Sequence, residues 1–271
     1  VRHGSNSGGV RWVPRDLQIY RDKVTGVERI FLLLGNPGII SGVYDRGEVS
    51  RIRWDRHVEF PFLTKGTFFT RPLGIAQANH ALHFSEGPSI FRRIDGERPK
   101  YEEILNLAED TDTDVGGIRG LTAIKNPNGN GQSLLFVWAP GERSQSQMKR
   151  LDPDGKGGYT LHNEANLAQL MSLKLGVKVP YTLGGHNMMY PVTHPVTGKL
   201  VHVIGFYGSI SGKSDLMWQG SRFYGGALFA VRSADGKYSV HEVNGPYAQD
   251  KTLLVSPRAF CLSPFSKNEI F

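Results

Sequence analysis

The chain has 271 residues, of which 33 are glycine and 15 proline, with 39% hydrophobic residues and a formal net charge of +7. It is long enough to bury a sizeable core, and no run approaches the roughly 18 consecutive apolar residues that mark a membrane helix, so a membrane is not among the expected partners. The basic excess favours anionic partners; the absence of any block of five Lys/Arg and of any nucleic-acid motif makes nucleic acid the weaker choice among them.

Residues 1–14 read as a small polar lead (Gly4 to Gly9) and then Val10-Arg11-Trp12-Val13, an edge or closure strand. A first residue that is Val, not Met, reads as a processed or truncated amino end and leans toward a secreted or periplasmic protein, although no signal peptide is visible. A single cysteine, Cys261, excludes an intrachain disulfide and reads as a small buried apolar residue.

From Arg15 a strand leads into a turn, Arg21-Asp22-Lys23-Val24-Thr25-Gly26. Apolar runs follow at Val27–Leu34 and Ile39–Tyr44, then an Asp45-Arg46-Gly47 turn and a last run, Arg51–Phe60. Short runs bounded by Gly, Pro, Asn and Asp predict four sequential strands. A second set is predicted at Pro72–Gln77, His80–Ser85, Ser89–Ile94 and Lys100–Leu105, with Asp95-Gly96 as its outer turn. Glu109, Asp110, Asp112 and Asp114 form a solvated acidic link, without the Gly-bearing pattern of a calcium loop.

The third set starts at Arg119 and turns through Asn126-Pro127-Asn128-Gly129-Asn130-Gly131. It continues as Ser133–Trp138, Gln147–Leu151 and Tyr159–His162, with Asp152-Pro153-Asp154-Gly155 as outer turn. Leu167, Leu170, Met171 and Leu175 then fall at helical spacing, with Asn163 to cap and Gly176 to terminate. This predicts one inserted helix on the rim of a central channel. The fourth set runs from Asn187 through Leu200–Tyr207, a long polar insertion at 208–226, Ala227–Arg232 and Tyr238–Val243. A fifth begins at Arg258 and holds one strand and the start of another before Phe271.

Five segments superpose without a gap: Arg15-Asp-Leu-Gln-Ile-Tyr, Arg71-Pro-Leu-Gly-Ile-Ala, Arg119-Gly-Leu-Thr-Ala-Ile, Asn187-Met-Met-Tyr-Pro-Val and Arg258-Ala-Phe-Cys-Leu-Ser. Their spacing is that of solenoids, propellers or arrays. Four antiparallel strands per repeat around an axis make a propeller blade. The expectation is an all-β fold, a single β-propeller domain over 15–271. It has about five blades, starting near 15, 71, 119, 187 and 258, with the last completed by a continuing chain or a partner. The pattern resembles the broad β-propeller superfamily. The runs Arg119-Gly-Leu-Thr-Ala and Arg92-Arg93-Ile94-Asp95-Gly96 look like those of uncharacterised bacterial-type propeller proteins. Trp54-Asp55 is the only Trp-Asp dipeptide, so the WD40 signature is missing. The resemblance implies a fold and no activity.

With the first strand of each blade beside the channel, Arg15, Arg71, Arg119, Asn187 and Arg258 converge on one mouth, with His186 alongside. Connections between second and third strands add Asn36, Glu86, Trp138 and an insertion carrying Trp218, Arg222, Phe223 and Tyr224. His80, Asp22, Asn128 and His194 fall on the opposite face and are discounted. Clustered guanidiniums repel one another unless anions join them, and Arg suits bidentate capture of a carboxylate, sulfate or phosphate. Asp16 is the only carboxylate directly following one of these arginines. Arginines that lock blades together are the equally weighted alternative.

The substrate-binding set is Arg15, Arg71, Arg119, Asn187, Arg258, Trp218 and Arg222; His186 and Tyr224 are the proton-transfer candidates. Trp218 and Tyr224 suit stacking on a sugar. No metal or cofactor is expected, because an arginine-rich ring repels a channel calcium and no nucleotide or zinc motif occurs. The sequence favours a lyase or hydrolase acting on an anionic small molecule or acidic glycan; the alternative is a non-catalytic lectin-like or protein-interaction propeller.

Overall fold

The computed structural model describes residues 14–34, 38–43, 51–55, 57–61, 74–108, 117–140, 145–176, 183–193, 200–207, 217–218, 221–222, 226–233 and 235–244. For 14–15, 175, 183–193, 200–207, 217–218, 221–222, 226–227 and 241–244 the description is of backbone alone.

The fold is all-β, built from antiparallel sheets whose strands follow one another in chain order. The first sheet holds β1 (Pro14–Arg21), β2 (Glu28–Leu34), β3 (Gly38–Val43), β4 (Arg53–Trp54) and β5 (Phe60–Pro61). The second runs β6 (Ile75–Ala78), β7 (Ala81–Glu86), β8 (Ser89–Ile94), β9 (Lys100–Asn106). The third runs β10 (Gly117–Lys125), β11 (Gln132–Ala139), β12 (Gln147–Pro153), β13 (Tyr159–Asn166). The helix α1 (Leu167–Leu175) and β14 (Leu183–Thr193) and β15 (Leu200–Tyr207) follow. A two-stranded hairpin comes next, β16 (Met217–Trp218) with β17 (Ser221–Arg222). Then β18 (Gly226–Arg232) and β19 (Tyr238–Asn244) complete a fourth sheet in the order β14-β15-β18-β19.

The first strands lie beside one another, β1 against β6, β6 against β10 and β10 against β14. One core cluster joins the first two sheets through Tyr20, Phe31, Ile39, Leu82, Phe84 and Phe91. Its rings meet closely, Phe60 to Phe84 at 4.8 Å and Phe84 stacked on Phe91 at 5.4 Å. A larger cluster joins the second, third and fourth sheets, from Ile90 through Phe136 and Trp138 to Leu228. Covered on both faces, β11 is buried at every position after Gln132, which is why it reads as a continuous apolar run. The outermost β9 has only exposed and half-buried residues, their alternation interrupted by a bulge at Ile104.

Sheets are also tied by charge. The Arg93 guanidinium donates to Asp22 at 2.8 Å and to Glu59 at 2.7 Å, and meets Asp95 as well. Asp22 comes from the β1–β2 turn and Glu59 from the approach to β5, so β8 is clamped to the first sheet. Farther along, Glu164 of β13 receives Arg150 of β12 and, at 2.8 Å, Arg232 of β18.

Two elements depart from expectation. The run Arg51–Phe60 does not form one strand. β4 pairs with Gly42 and Val43, β5 pairs with Gly38 and Ile39, and the chain between them bows out. Polar partners cause the break: Asp55 turns to Arg29 and Ser41, and Glu59 to Arg93 and Tyr101. The helix caps at Asn166, not Asn163, because β13 stays paired with β12 as far as Asn166 opposite Gln147. Asn166 accepts from the Gln169 amide, and Gly176 closes the helix in the left-handed region, φ 68°. α1 lies against β13 and β19, the outermost strands of their sheets, not along the first strands.

Candidate functional site

In a meander of antiparallel strands, the starts of first strands and the second-to-third turns share one end of every sheet. Of the sequence-predicted site, Arg15, Arg119 and the segment with His186 and Asn187 fall at that end of their strands. Among its members Arg119 is described in full. It lies near the start of β10 with 1% of its surface exposed. Its neighbour Ile118 donates to the carbonyl of Gly87 at 2.7 Å, joining β10 to the β7–β8 turn. That bond brings the backbone of Arg119 close to Glu86, itself only 3% exposed.

The ladder is irregular at this end of three first strands. In β1, Pro14 opposes Leu34 and Asp16 opposes Leu33, which leaves Arg15 as the extra residue. In β10, Arg119 opposes Val137 and Leu121 opposes Phe136, so Gly120 is extra, with φ 57° as a bulge glycine requires. In β14, Gly184 opposes Phe206 and Met189 opposes Ile204, so the segment holding His186 and Asn187 bows out opposite Gly205. Bulges occur where a sheet must re-aim a side chain, at barrel rims and beside active sites.

Trp218 and Arg222 lie on the hairpin inside the insertion, Trp218 paired with Ser221 and Met217 with Arg222. Arg71, Tyr224 and Arg258 lie outside the described residues, as do Asn36 and Phe223. Trp138 is a core residue, 2% exposed. Asp16 bridges two first strands, its carboxylate accepting from the Ile75 amide at 3.0 Å and the Leu17 amide at 2.8 Å. Lost hydration outweighs these bonds and pushes its pKa up to about 6.

The opposite end of the sheets carries a groove of about 780 Å³ between the second and third sheets. It is an open trough bounded by the turns at Asn79, Asn126–Asn130 and Pro153–Gly158, with Tyr159, Thr160 and His162 of β13 along it. Asn79 and His80 form a two-residue turn with positive φ at both, 48° and 60°. The Asn79 amide exchanges hydrogen bonds with the backbone of Gln132, at 2.6 and 2.7 Å, so the next sheet holds the turn in place.

Beneath the trough, Asp152 accepts from Ser133 at 2.6 Å, from Arg150 at 2.7 Å and from Asn128 at 3.1 Å. Burial opposes its ionisation, but Arg150 and Ser133 prevail and hold the carboxyl below its ordinary range. The same carboxylate lies 3.2 Å from His162 Nε2. Across the trough the Tyr159 hydroxyl lies 3.4 Å from both Arg92 and His83 Nε2. Burial, with Arg92 beside it, depresses the His83 pKa to about 4.

The prediction discounted this end, and with it Asn128. Two glycine-rich polar turns of one hairpin pair, Asn126–Gly131 and Asp152–Gly158, were the signal available. Among the described residues no group of His, Cys, Asp and Glu is arranged to hold a metal ion, and no helix is long and apolar enough to cross a membrane. The chain matches no family model and no curated protein.

Proposed function

We propose that the chain is a β-propeller that binds an anionic small molecule or acidic saccharide at the mouth of its central channel. In this reading Arg15, Arg71, Arg119 and Arg258 supply positive charge and Asn187 an amide. Trp218 and Arg222 seat the ligand. One observation carries the reading. The polar position that recurs in the sequence falls, in β1, β10 and β14, within a residue of a ladder bulge, and these strands belong to a row of neighbouring first strands. A repeated distortion at a repeated polar position is what re-aiming of side chains toward a shared ligand requires.

The chemistry that fits is proton abstraction. Guanidiniums that neutralise a carboxylate acidify the proton on the adjacent carbon, and His186 or Tyr224 would accept or return it. β-Elimination from a uronate follows naturally; hydrolysis uses the same groups. Arg119, deep under the mouth, contributes charge through a poorly screened interior. A second reading, a non-catalytic lectin-like or interaction module in which these arginines lock sheets together, has its own support in the burial of Arg119 near Glu86.

Arg119→Ala separates the two. Titration with glucuronate and with an oligogalacturonate, alongside thermal unfolding, is the measurement. A ligand role predicts affinity about tenfold weaker or more, with the fold retained. A lower melting temperature with unchanged affinity of the folded protein sinks the ligand role. β-Elimination is followed separately by the ultraviolet absorbance of the unsaturated product.

A further inference from the structure

We infer that the groove between the second and third sheets is a second binding site, for a neutral saccharide of one or two rings. It lies at the end of the sheets opposite the arginine-bearing mouth, and it has different chemistry.

Size and shape come first. At about 780 Å³ the trough falls within the roughly 300–1,000 Å³ range of small-molecule sites, and it is open along its length. An open trough suits a flexible, hydrated ligand held by its edges and not engulfed.

Charge comes second. The ionised groups of the groove are mostly neutralised within the protein. Arg92 is paired with Glu102 at 2.6 Å, and Asp152 is held by Arg150. Asp154 caps its own turn, accepting from the amides of Lys156 at 2.8 Å and Gly158 at 2.9 Å, with no cationic partner among the described residues. Lys156 stands exposed in the same turn as Asp154, so the groove has no concentration of one charge that would draw an ion. What the groove offers is uncharged: the amides of Asn128 and Asn130, the Thr160 hydroxyl, the outer edge of the His162 ring and the Tyr159 ring.

Geometry comes third. Thr160 and His162 are two residues apart on β13 and so share a face, directly opposite Asp152 and Arg150 in the ladder. The Asp152 carboxylate faces Nε2 of His162 and selects the tautomer with its proton there, leaving Nδ1 as an acceptor on a ring that is 35% exposed. Asn128 gives its Nδ2 to Asp152, so its carbonyl oxygen remains to accept. Acceptors and rotatable hydroxyls fixed from below are what vicinal sugar hydroxyls need, since each hydroxyl both donates and accepts. The Tyr159 ring is held steady by its hydroxyl near His83 and Arg92, by packing on the core and by the Arg92 guanidinium 5.9 Å from its centroid, so the part left in the groove offers a sugar a narrow apolar edge.

The test is a ¹⁵N chemical-shift titration of the whole chain with cellobiose, maltose, lactose, glucuronate and inorganic sulfate. A neutral disaccharide is expected to shift the amides of Asn128, Asn130 and Gly155–Gly158. His162→Phe, which keeps ring bulk, and Asn130→Ala, on an exposed turn, are each expected to weaken it about three- to tenfold. Arg119→Ala is expected to leave this binding unchanged, so that failure of the mouth reading and failure of this one are distinguishable. The inference is overturned if no neutral sugar shifts these amides up to about 10 mM, a weak limit for an open site. Binding indifferent to both groove variants overturns it too, as does sulfate or glucuronate outcompeting the neutral sugars at these amides.

Discussion

Gly74 lies so close to Leu121 that a Cβ on Gly74 would come within 2.4 Å of the Leu121 amide nitrogen and 2.7 Å of its Cβ. The obstacle is backbone, which cannot swing aside as a flexible side chain would. This contact brings the lead-in to β6 against β10 two residues after Arg119. Gly74→Ala is therefore expected to push neighbouring first strands apart, at a cost of about 1–3 kcal/mol, the usual range for overpacking. Urea unfolding of the variant measures it; an unchanged midpoint would mean the two strands are free to separate.

Arg93 is the clamp between the first two sheets, with Asp22, Glu59 and Asp95 around one buried guanidinium. Burial alone would raise the Asp22 carboxyl, yet the amides of Thr25 and Val24 together with Arg93 bring it down to about 2. Arg93→Ala strands these carboxylates in a desolvated place. The expected loss is about 3–5 kcal/mol, as for other buried pairs broken on one side. Arg93→Lys is expected to recover only part of it, since an ammonium lacks the guanidinium's fork. Thermal unfolding at neutral pH reads both variants.

Two groups titrate in one acid window with opposite sign. His83 has its folded pKa lowered from 6.5 to about 4, so the unfolded chain binds its proton first. Its contribution to stability is complete above about 6.5 and is lost as pH falls toward 4, a swing of about 3 kcal/mol. Asp16 has its folded pKa raised from 3.8 to about 6, so the folded chain binds the proton first. Its contribution is complete below about 3.8 and is lost as pH rises through 6. The two oppose each other between about pH 4 and 6. His83→Gln is therefore expected to make the protein gain stability, relative to wild type, as pH falls across that window. Asp16→Asn is expected to make it lose stability there. Denaturant midpoints at half-unit pH steps test this; parallel profiles for all three proteins would contradict it.

The cap of α1 offers a smaller, local test. Asn166 accepts from the Gln169 amide and also donates to Gln145. Asn166→Ala is expected to cost about 1 kcal/mol, read from the shift in the urea midpoint. Asn163→Ala, at the position first expected to cap, is expected to leave the helix in place.

Turn chemistry made most of the second and third sheets legible in the chain. Asp95-Gly96, the Asn126–Gly131 run and Asp154-Gly155 each mark a strand end that the structure keeps to within a few residues. The broken edge of the first sheet was not legible, because its causes are partners far away in sequence: Arg93 for Glu59, and Arg29 for Asp55. Asn163 and Asn166 are equivalent as local caps, and ladder pairing with β12 decides between them. At the candidate site, the recurrence of Arg15, Arg119 and Asn187 was visible. The bulges that accompany it were not, since a bulge is a mismatch between two strands and neither strand records it alone. The Asp152–His162 contact was overlooked for a similar reason: the two residues meet only once β12 and β13 pair.

The burial of β11 and β12 between neighbouring sheets sets a timetable for solvent entry. Their side chains are covered on both faces, while those of β9 are all exposed or half-buried. Amide protons of Leu134–Val137 should therefore exchange with deuterium only when the chain opens globally. Those of β9 should exchange through small edge openings far more often. Because Arg150 and Glu164 tie β12 and β13 to Arg232 of β18, the third and fourth sheets should open together, as one cooperative unit.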